Sequence, residues 1–182
     1  MTTPAKSVPG EPVTSAPGER ADLLAALAKN RYFLRYTLRG LTDEQAAQRT
    51  TVSELCLGGL IKHVAATERQ WIRFILEGPS AMGNWEDEGG VDDWLAGFRV
   101  LAGETVAGLL EDYEQVARRT DGLVAQLPDL DISHPLPEAP WFERGARWSA
   151  RRVLLHVIAE TAQHAGHADI IRESLDGAKS MG

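Results

Sequence analysis

The sequence predicts an all-α protein folded as an antiparallel four-helix bundle with long loops. Four stretches repeat apolar residues at the three-, four- and seven-residue spacings of an amphipathic helix. No stretch alternates apolar and polar residues in the way that a half-buried strand does. Helix-stopping residues follow the four stretches, at Gly40, Gly78-Pro79, Pro128 and Gly177. Four amphipathic helices can bury their apolar faces only against one another, which favours a bundle.

The 182 residues suffice for one domain with a single core, preceded by a short tail. Residues 1–19 interleave proline with glycine, serine and threonine and hold few apolar side chains. Such a segment cannot bury enough surface to offset the entropy lost on ordering. We therefore predict a disordered N-terminal tail over residues 1–19 and a helical bundle domain over residues 20–182.

The charge and cysteine content exclude several classes of partner. The formal net charge of −7 disfavours a nucleic-acid partner and an anionic membrane surface, because both attract clustered lysine and arginine. No run approaches the roughly 18 apolar residues that cross a bilayer. The single cysteine, Cys56, allows no internal disulfide, and we read it as a small core residue. From these features we expect a cytoplasmic protein.

Helix boundaries follow from capping residues. We predict helices from Arg20 to near Gly40, from Ser53 as N-cap to Glu77, from Glu104 to Gln126, and from Ser149 as N-cap to Leu175. A short helix after Thr42 is also expected. The pair Gly58-Gly59 costs the second helix roughly 1 kcal/mol per glycine relative to alanine. The close approach of another backbone is one reason for a helix to tolerate the pair.

The loop over residues 128–148 is rich in proline and too long for a simple connector, a property typical of functional loops. Within it, Trp141 and the neighbouring Phe142 are candidates for the mouth of a substrate site. Arg147, with Arg151 and Arg152 just after it, could meet a carboxylate on a substrate. Solvated surface is the alternative interpretation of these arginines.

The last helix carries four ionisable residues on one face. His156, Glu160, His164 and His167 fall at i, i+4, i+8 and i+11, within a stripe about 80° wide. Glu160 and His164 are one turn apart and can reach a single zinc ion. His156 lies about 12 Å along the axis from His164, so it is assigned to the second shell or the core. His167 is a candidate fourth ligand or substrate contact.

A catalytic zinc needs a third protein ligand and an open position. His63 lies in the middle of the second helix between apolar neighbours and could complete the site. His134, in the proline-rich loop, could equally be surface. The alternative to a metal site is that each histidine is structural and that Glu160 and His164 form an ordinary hydrogen-bonded pair.

At these residues the chain resembles the DinB/YfiT-like metalloenzyme superfamily. That family places one histidine in its second helix and a ligand-x3-histidine pair in its last helix, just before a small-glycine-polar step. Here these are His63, Glu160 with His164, and the step 165–167. The resemblance covers nearly all of residues 20–177. It is nearest to single-domain mycothiol S-transferases and to the zinc domain of mycothiol-dependent maleylpyruvate isomerase.

The resemblance implies a zinc site formed by His63, Glu160 and His164, although nickel, cobalt or iron would also accept such ligands. It implies mycothiol as co-substrate, conjugated to an electrophilic small molecule in detoxification, and it allows a homodimer. Coordination would deprotonate the thiol, whose thiolate is the nucleophile. The alternatives are a non-catalytic metal- or ligand-binding stress-response bundle and a zinc-dependent hydrolase or isomerase.

Overall fold

The computed structural model of the protein describes residues 18–82 and 95–180. This part of the chain is mostly helical, with one small sheet. The helices are α1 (Glu19–Tyr36), α2 (Asp43–Ala47), α3 (Leu57–Glu77), a 3-10 helix (Gly78–Met82), α4 (Val106–Gln126) and α5 (Ala150–Asp176), and the strands are β1 (Ser133–Pro135) and β2 (Arg147–Ser149). Of the predicted tail, only residues 18 and 19 are described, and α1 begins at Glu19. None of the described helices is long and apolar enough to span a membrane.

The predicted helix ends are confirmed where the capping residue bonds to its immediate neighbours, as in α5. Ser149 caps α5 by accepting a hydrogen bond from the backbone N–H of Arg152, and Gly177 ends it with φ +77°. The prediction that Ser53 caps α3 is wrong. The Ser53 hydroxyl accepts from the N–H of Leu55 in a local turn, so α3 begins four residues later. The first long helix ends at Tyr36 rather than near Gly40.

The all-α prediction is wrong for the proline-rich loop. Strand β1 pairs antiparallel with β2, and His134 lies opposite Trp148 in the register. Each strand has only three residues, too few to show a period of two in the sequence. The resulting hairpin carries Trp148 directly onto the start of α5.

Helices α1 and α5 lie side by side and run in the same direction. Near their N-terminal ends, Arg151 forms ion pairs with Glu19. Near their C-terminal ends, the guanidinium of Arg172 donates 2.6 Å to the carbonyl of Thr37. The antiparallel prediction is therefore wrong for this pair.

Helices α3 and α4 also run in the same direction. Lys62 pairs with Glu104, just before α4, and about two turns further along Arg69 pairs with Asp112. The long connection between residues 78 and 105 makes this possible, because it returns the chain to the end at which α3 began. Helix α5, in contrast, runs antiparallel to α3, with Trp71 beside His156 and His63 beside His164.

A buried polar layer separates two apolar clusters of the core. One cluster contains Leu27, Phe74, Val124 and Val157, and the other contains Leu34, Val64, Val116 and Ala168. Between them lie the buried polar residues Arg31, Glu68, Thr120 and Thr161, one from each long helix. Because Thr161 directly follows Glu160, the polar layer lies at the level of the candidate site.

Candidate metal centre

Helices α3 and α5 bring His63, Glu160 and His164 together. One potential ligand atom from each residue lies within 4.8 Å of those of the other two. Oε2 of Glu160 is 3.6 Å from Nε2 of His164, and the rings of His63 and His164 have centroids 4.9 Å apart. Sequence spacing alone placed only Glu160 beside His164, whereas the antiparallel packing of α3 on α5 adds His63.

The three side chains fit a zinc ion. Ligand atoms around a tetrahedral zinc, with bonds of about 2.0–2.2 Å, are about 3.4 Å apart. The carboxylate of Glu160 and the imidazole of His164 are already near that separation, and small side-chain rotations would bring in His63. Two histidines and one glutamate are also a known donor set of catalytic zinc sites, which keep a fourth position open.

The imidazole of His63 is held in a desolvated position. It stacks on the ring of Phe98, with 3.9 Å between centroids and 22° between planes, and its Nε2 is 3.5 Å from the hydroxyl of Thr67. Burial, together with the smaller effect of the neighbouring His164, lowers the pKa of His63 to about 4. His63 is therefore neutral at pH 7, the form in which imidazole binds a metal.

Gly58 and Gly59 position Phe98 over His63. A Cβ at Gly59 would lie 1.9 Å from the carbonyl oxygen of Phe98, and one at Gly58 would lie 2.5 Å from Cγ2 of Val100. The predicted close approach of another backbone is thereby confirmed. The segment containing Phe98 can cross α3 at this level only because the helix has no side chain there.

The other two histidines of α5 flank the three clustered residues. Nε2 of His156 is 3.9 Å from Oε1 of Glu160, and its ring packs edge-on against Trp71 and Trp148. Nδ1 of His167 is 3.4 Å from Nδ1 of His164. Burial lowers the pKa of both His156 and His164. His156 therefore lies beside Glu160 and against two tryptophans, which leaves its predicted role, supporting a ligand or packing in the core, a prediction. His167 contacts a candidate ligand without joining the described three-residue group.

Solvent reaches the cluster from the side of Glu160 and His156. The side chain of His164 is 12% exposed, whereas those of Glu160 and His156 are 30% and 24% exposed. On the side of His63, the half-buried ring of Phe98 stacks on the imidazole. A substrate would therefore approach along α5 from the direction of its N-terminal end.

The hairpin lies at that end of the site. Phe142 packs against Trp148, and Trp141, 65% exposed, packs edge-on against Phe142. Trp148 in turn stacks on Trp71. The guanidinium of Arg147 donates 2.7 Å to the carbonyl of Ser133 and so fastens the hairpin.

The sequence did not decide whether His134 and Cys56 take part in the site, and the structure shows what each of them contacts. Nε2 of His134 lies 3.2 Å from the carbonyl oxygen of Ile75, at the far end of α3 from His63. Cys56 is buried, with its thiol 3.7 Å from the carbonyl oxygen of Phe98. The core interpretation of Cys56 agrees with this burial.

Sequence reasoning missed the buried ion pair behind the site. Glu68 is fully buried, pairs with Arg31 through both carboxylate oxygens, and accepts a hydrogen bond from the hydroxyl of Thr120. A signal was present, because Glu68 falls on the apolar stripe of α3 between Val64 and Trp71. A charged residue at such a position needs a buried partner.

The fold and the site define a helical protein with a three-residue candidate metal centre that is open to solvent on one side. The family model for mycothiol-S-transferases matches residues 22–177. The chain belongs to the mycothiol-S-transferase family. No curated protein matches the sequence.

Proposed function

We propose that the protein is a zinc-dependent mycothiol S-transferase that conjugates mycothiol to electrophilic small molecules in detoxification. The observation that carries the proposal is the convergence of His63, Glu160 and His164 within 4.8 Å in a chain that belongs to this family. A three-ligand group favours catalysis over a purely structural metal, because it leaves a coordination position for a substrate.

His63, Glu160 and His164 would hold the zinc. When bound, zinc supplies a positive charge that lowers the pKa of a coordinated thiol and makes the thiolate available at neutral pH. The chain contributes neutral imidazoles, and Phe98 stacks on that of His63. His156, whose Nε2 lies 3.9 Å from Oε1 of Glu160, would need a small rotation to donate a hydrogen bond to that oxygen. The thiol sulfur bonds to the electrophile, a leaving group departs with its electron pair, and the thiol proton passes to solvent.

The arrangement of α1, α3, α4 and α5 agrees with a four-helix bundle of the DinB/YfiT-like type, and we include that architecture in the proposal. The homodimer that the sequence resemblance allows stays a prediction. A small-molecule thiol and an electrophile are the expected partners, and the net charge of −7 gives no basis for proposing nucleic acid.

The test is conjugation of a fluorogenic electrophile to mycothiol by zinc-loaded and by metal-stripped protein, with glutathione and cysteine as competing thiols. We expect turnover only with metal, and much faster turnover with mycothiol than with the other thiols. His164→Ala should remove turnover while circular dichroism shows unchanged helicity.

The matched control is His134→Ala, which removes a histidine at the far end of α3 and should keep its turnover. Full activity after metal removal would contradict zinc dependence. Equal activity with all three thiols would contradict mycothiol as the dedicated co-substrate.

A further inference from the structure

Arg152 differs from the other arginines at the start of α5. Its guanidinium lies 4.2 Å from the ring centroid of Trp148, a cation–π contact that fixes an otherwise exposed side chain. Among residues 18–82 and 95–180, no oxygen accepts a hydrogen bond from this guanidinium. Arg151, one residue earlier, is by contrast paired with both Glu19 and Asp131.

No carboxylate among residues 18–82 and 95–180 forms an ion pair with Arg152. This arginine belongs to the first turn of α5, which contains no acidic residue. The N-terminal end of a helix already carries a partial positive charge, so an arginine there is disfavoured and an anion is favoured. Glu19 and Asp131, the two carboxylates at this end of α5, are engaged by Arg151, so the guanidinium of Arg152 keeps its donors free for another anion.

Arg152 also lies on the approach to the candidate metal centre. Arg152, His156 and Glu160 follow one another at intervals of four residues and so share one face of α5. The ring of Trp148, which supports Arg152, is 5.1 Å from the ring of His156. Arg152 is about 12 Å along the helix axis from Glu160, on the solvent-exposed side of the site. A substrate of moderate length could reach both.

We propose that Arg152, held in place by Trp148, binds a carboxylate on a substrate whose reacting atom lies at His63, Glu160 and His164. A planar guanidinium with free donors matches the two oxygens of a carboxylate, which it can bind through parallel hydrogen bonds. The reaction at the cluster rests on the proposed function, whereas the anion site does not. The carboxylate belongs to the electrophile, because the cysteinyl carboxyl of mycothiol is consumed in an amide bond.

The direct test is calorimetric binding of 3,5-dinitrobenzoate and of its uncharged amide to the metal-free, full-length protein. We expect Arg152→Met to weaken binding of the carboxylate about tenfold and to leave binding of the amide unchanged. Arg119→Met is the matched control, because Arg119 is also exposed and has no ion pair among the described residues, but stands on α4. Equal affinities of wild type and Arg152→Met for the carboxylate would overturn the proposal.

A kinetic experiment tests whether Arg152 binds the carboxylate of the electrophile during turnover. With mycothiol as thiol, 4-chloro-3,5-dinitrobenzoate is compared with uncharged 1-chloro-2,4-dinitrobenzene. In both, a carbon–sulfur bond forms, chloride leaves with the bonding electrons, and the thiol proton passes to the buffer. We expect Arg152→Met to raise KM for the charged electrophile about tenfold and to leave KM for the uncharged electrophile and for mycothiol unchanged. Equal changes in KM for the two electrophiles would overturn the proposal.

The two proposals fail separately. Absence of turnover with every electrophile, together with carboxylate binding that still depends on Arg152, would refute the transferase and leave the anion site intact. Normal turnover in which Arg152→Met changes neither KM would refute the anion site and leave the transferase intact.

Discussion

Substitution of Gly59 by alanine tests how the helix α3 and the segment around Phe98 build the site. A Cβ at this position would stand 1.9 Å from the carbonyl oxygen of Phe98 and 2.4 Å from its carbonyl carbon. Real Cβ contacts essentially never fall below 3.0 Å, so the segment must move by about 1 Å. The atoms in the way belong to the backbone, which cannot rotate aside as a side chain can.

Two opposing effects set the size of the change. Alanine favours the helix by about 1 kcal/mol over glycine. Overpacking a tightly filled contact costs about 1–3 kcal/mol. Because the overlap with Phe98 is with backbone and exceeds 1 Å, we expect the steric cost to be near its upper end, for a net loss of about 1–2 kcal/mol. In a domain of this size that lowers Tm by about 3–6 °C.

The assay is thermal unfolding followed by circular dichroism, with Gly122→Ala as the matched control. Gly122 is an exposed helical glycine with nothing within 4 Å of the added Cβ, so alanine there should raise Tm by about 2 °C. Zinc affinity should also fall in Gly59→Ala, because the displaced Phe98 no longer stacks on His63. A Tm for Gly59→Ala at or above that of wild type would refute the reasoning.

Three further predictions concern stability. Glu68→Gln should cost about 2–4 kcal/mol by urea denaturation, since it leaves the buried charge of Arg31 without its main partner. Arg172→Met should cost about 1–3 kcal/mol, because Arg172 donates to the carbonyls of Thr37 and Arg39 just beyond the end of α1. In the metal-free protein, the pKa of His63 is lowered from 6.5 to about 4. The unfolded chain therefore binds that proton first, and stability should fall as pH drops from about 6.5 to 4.

A specific result would contradict each of these three stability predictions. A cost for Glu68→Gln no larger than that for the exposed Glu77→Gln would contradict a role for the buried pair. For Arg172→Met, unchanged amide exchange at the C-terminal turn of α1 would argue against capping. The pH prediction fails if His63→Asn keeps the same loss of stability between pH 6.5 and 5 as the metal-free wild type.

Local signals made part of the fold predictable. Both ends of α5 follow from Ser149 and Gly177, which cap through their immediate neighbours. The start of α3 was not predictable in this way, because the hydroxyl of Ser53 closes a turn instead of capping a helix. The β1–β2 hairpin was also missed, since its three-residue strands depend on pairing between residues more than ten positions apart.

The candidate site was also predictable only for contacts within one helix. One turn of helix places Glu160 beside His164, so sequence spacing alone predicts that contact. The contribution of His63 depends on how α3 packs against α5, which spacing within one helix does not contain. The difference between Arg151 and Arg152 likewise depends on tertiary contacts that the sequence does not show. Arg151 pairs with Asp131, whereas Arg152 stacks on Trp148.

The most direct test of the account is the zinc content and ligand set of the purified protein. We expect about one zinc per chain by elemental analysis and X-ray absorption, with two imidazole nitrogens and a carboxylate oxygen as protein ligands. Single alanine substitutions of His63, Glu160 and His164 should each lower zinc affinity at least tenfold with unchanged helicity, whereas His134→Ala should not. Wild-type affinity in all three variants, or a sulfur ligand from Cys56, would contradict the proposed centre.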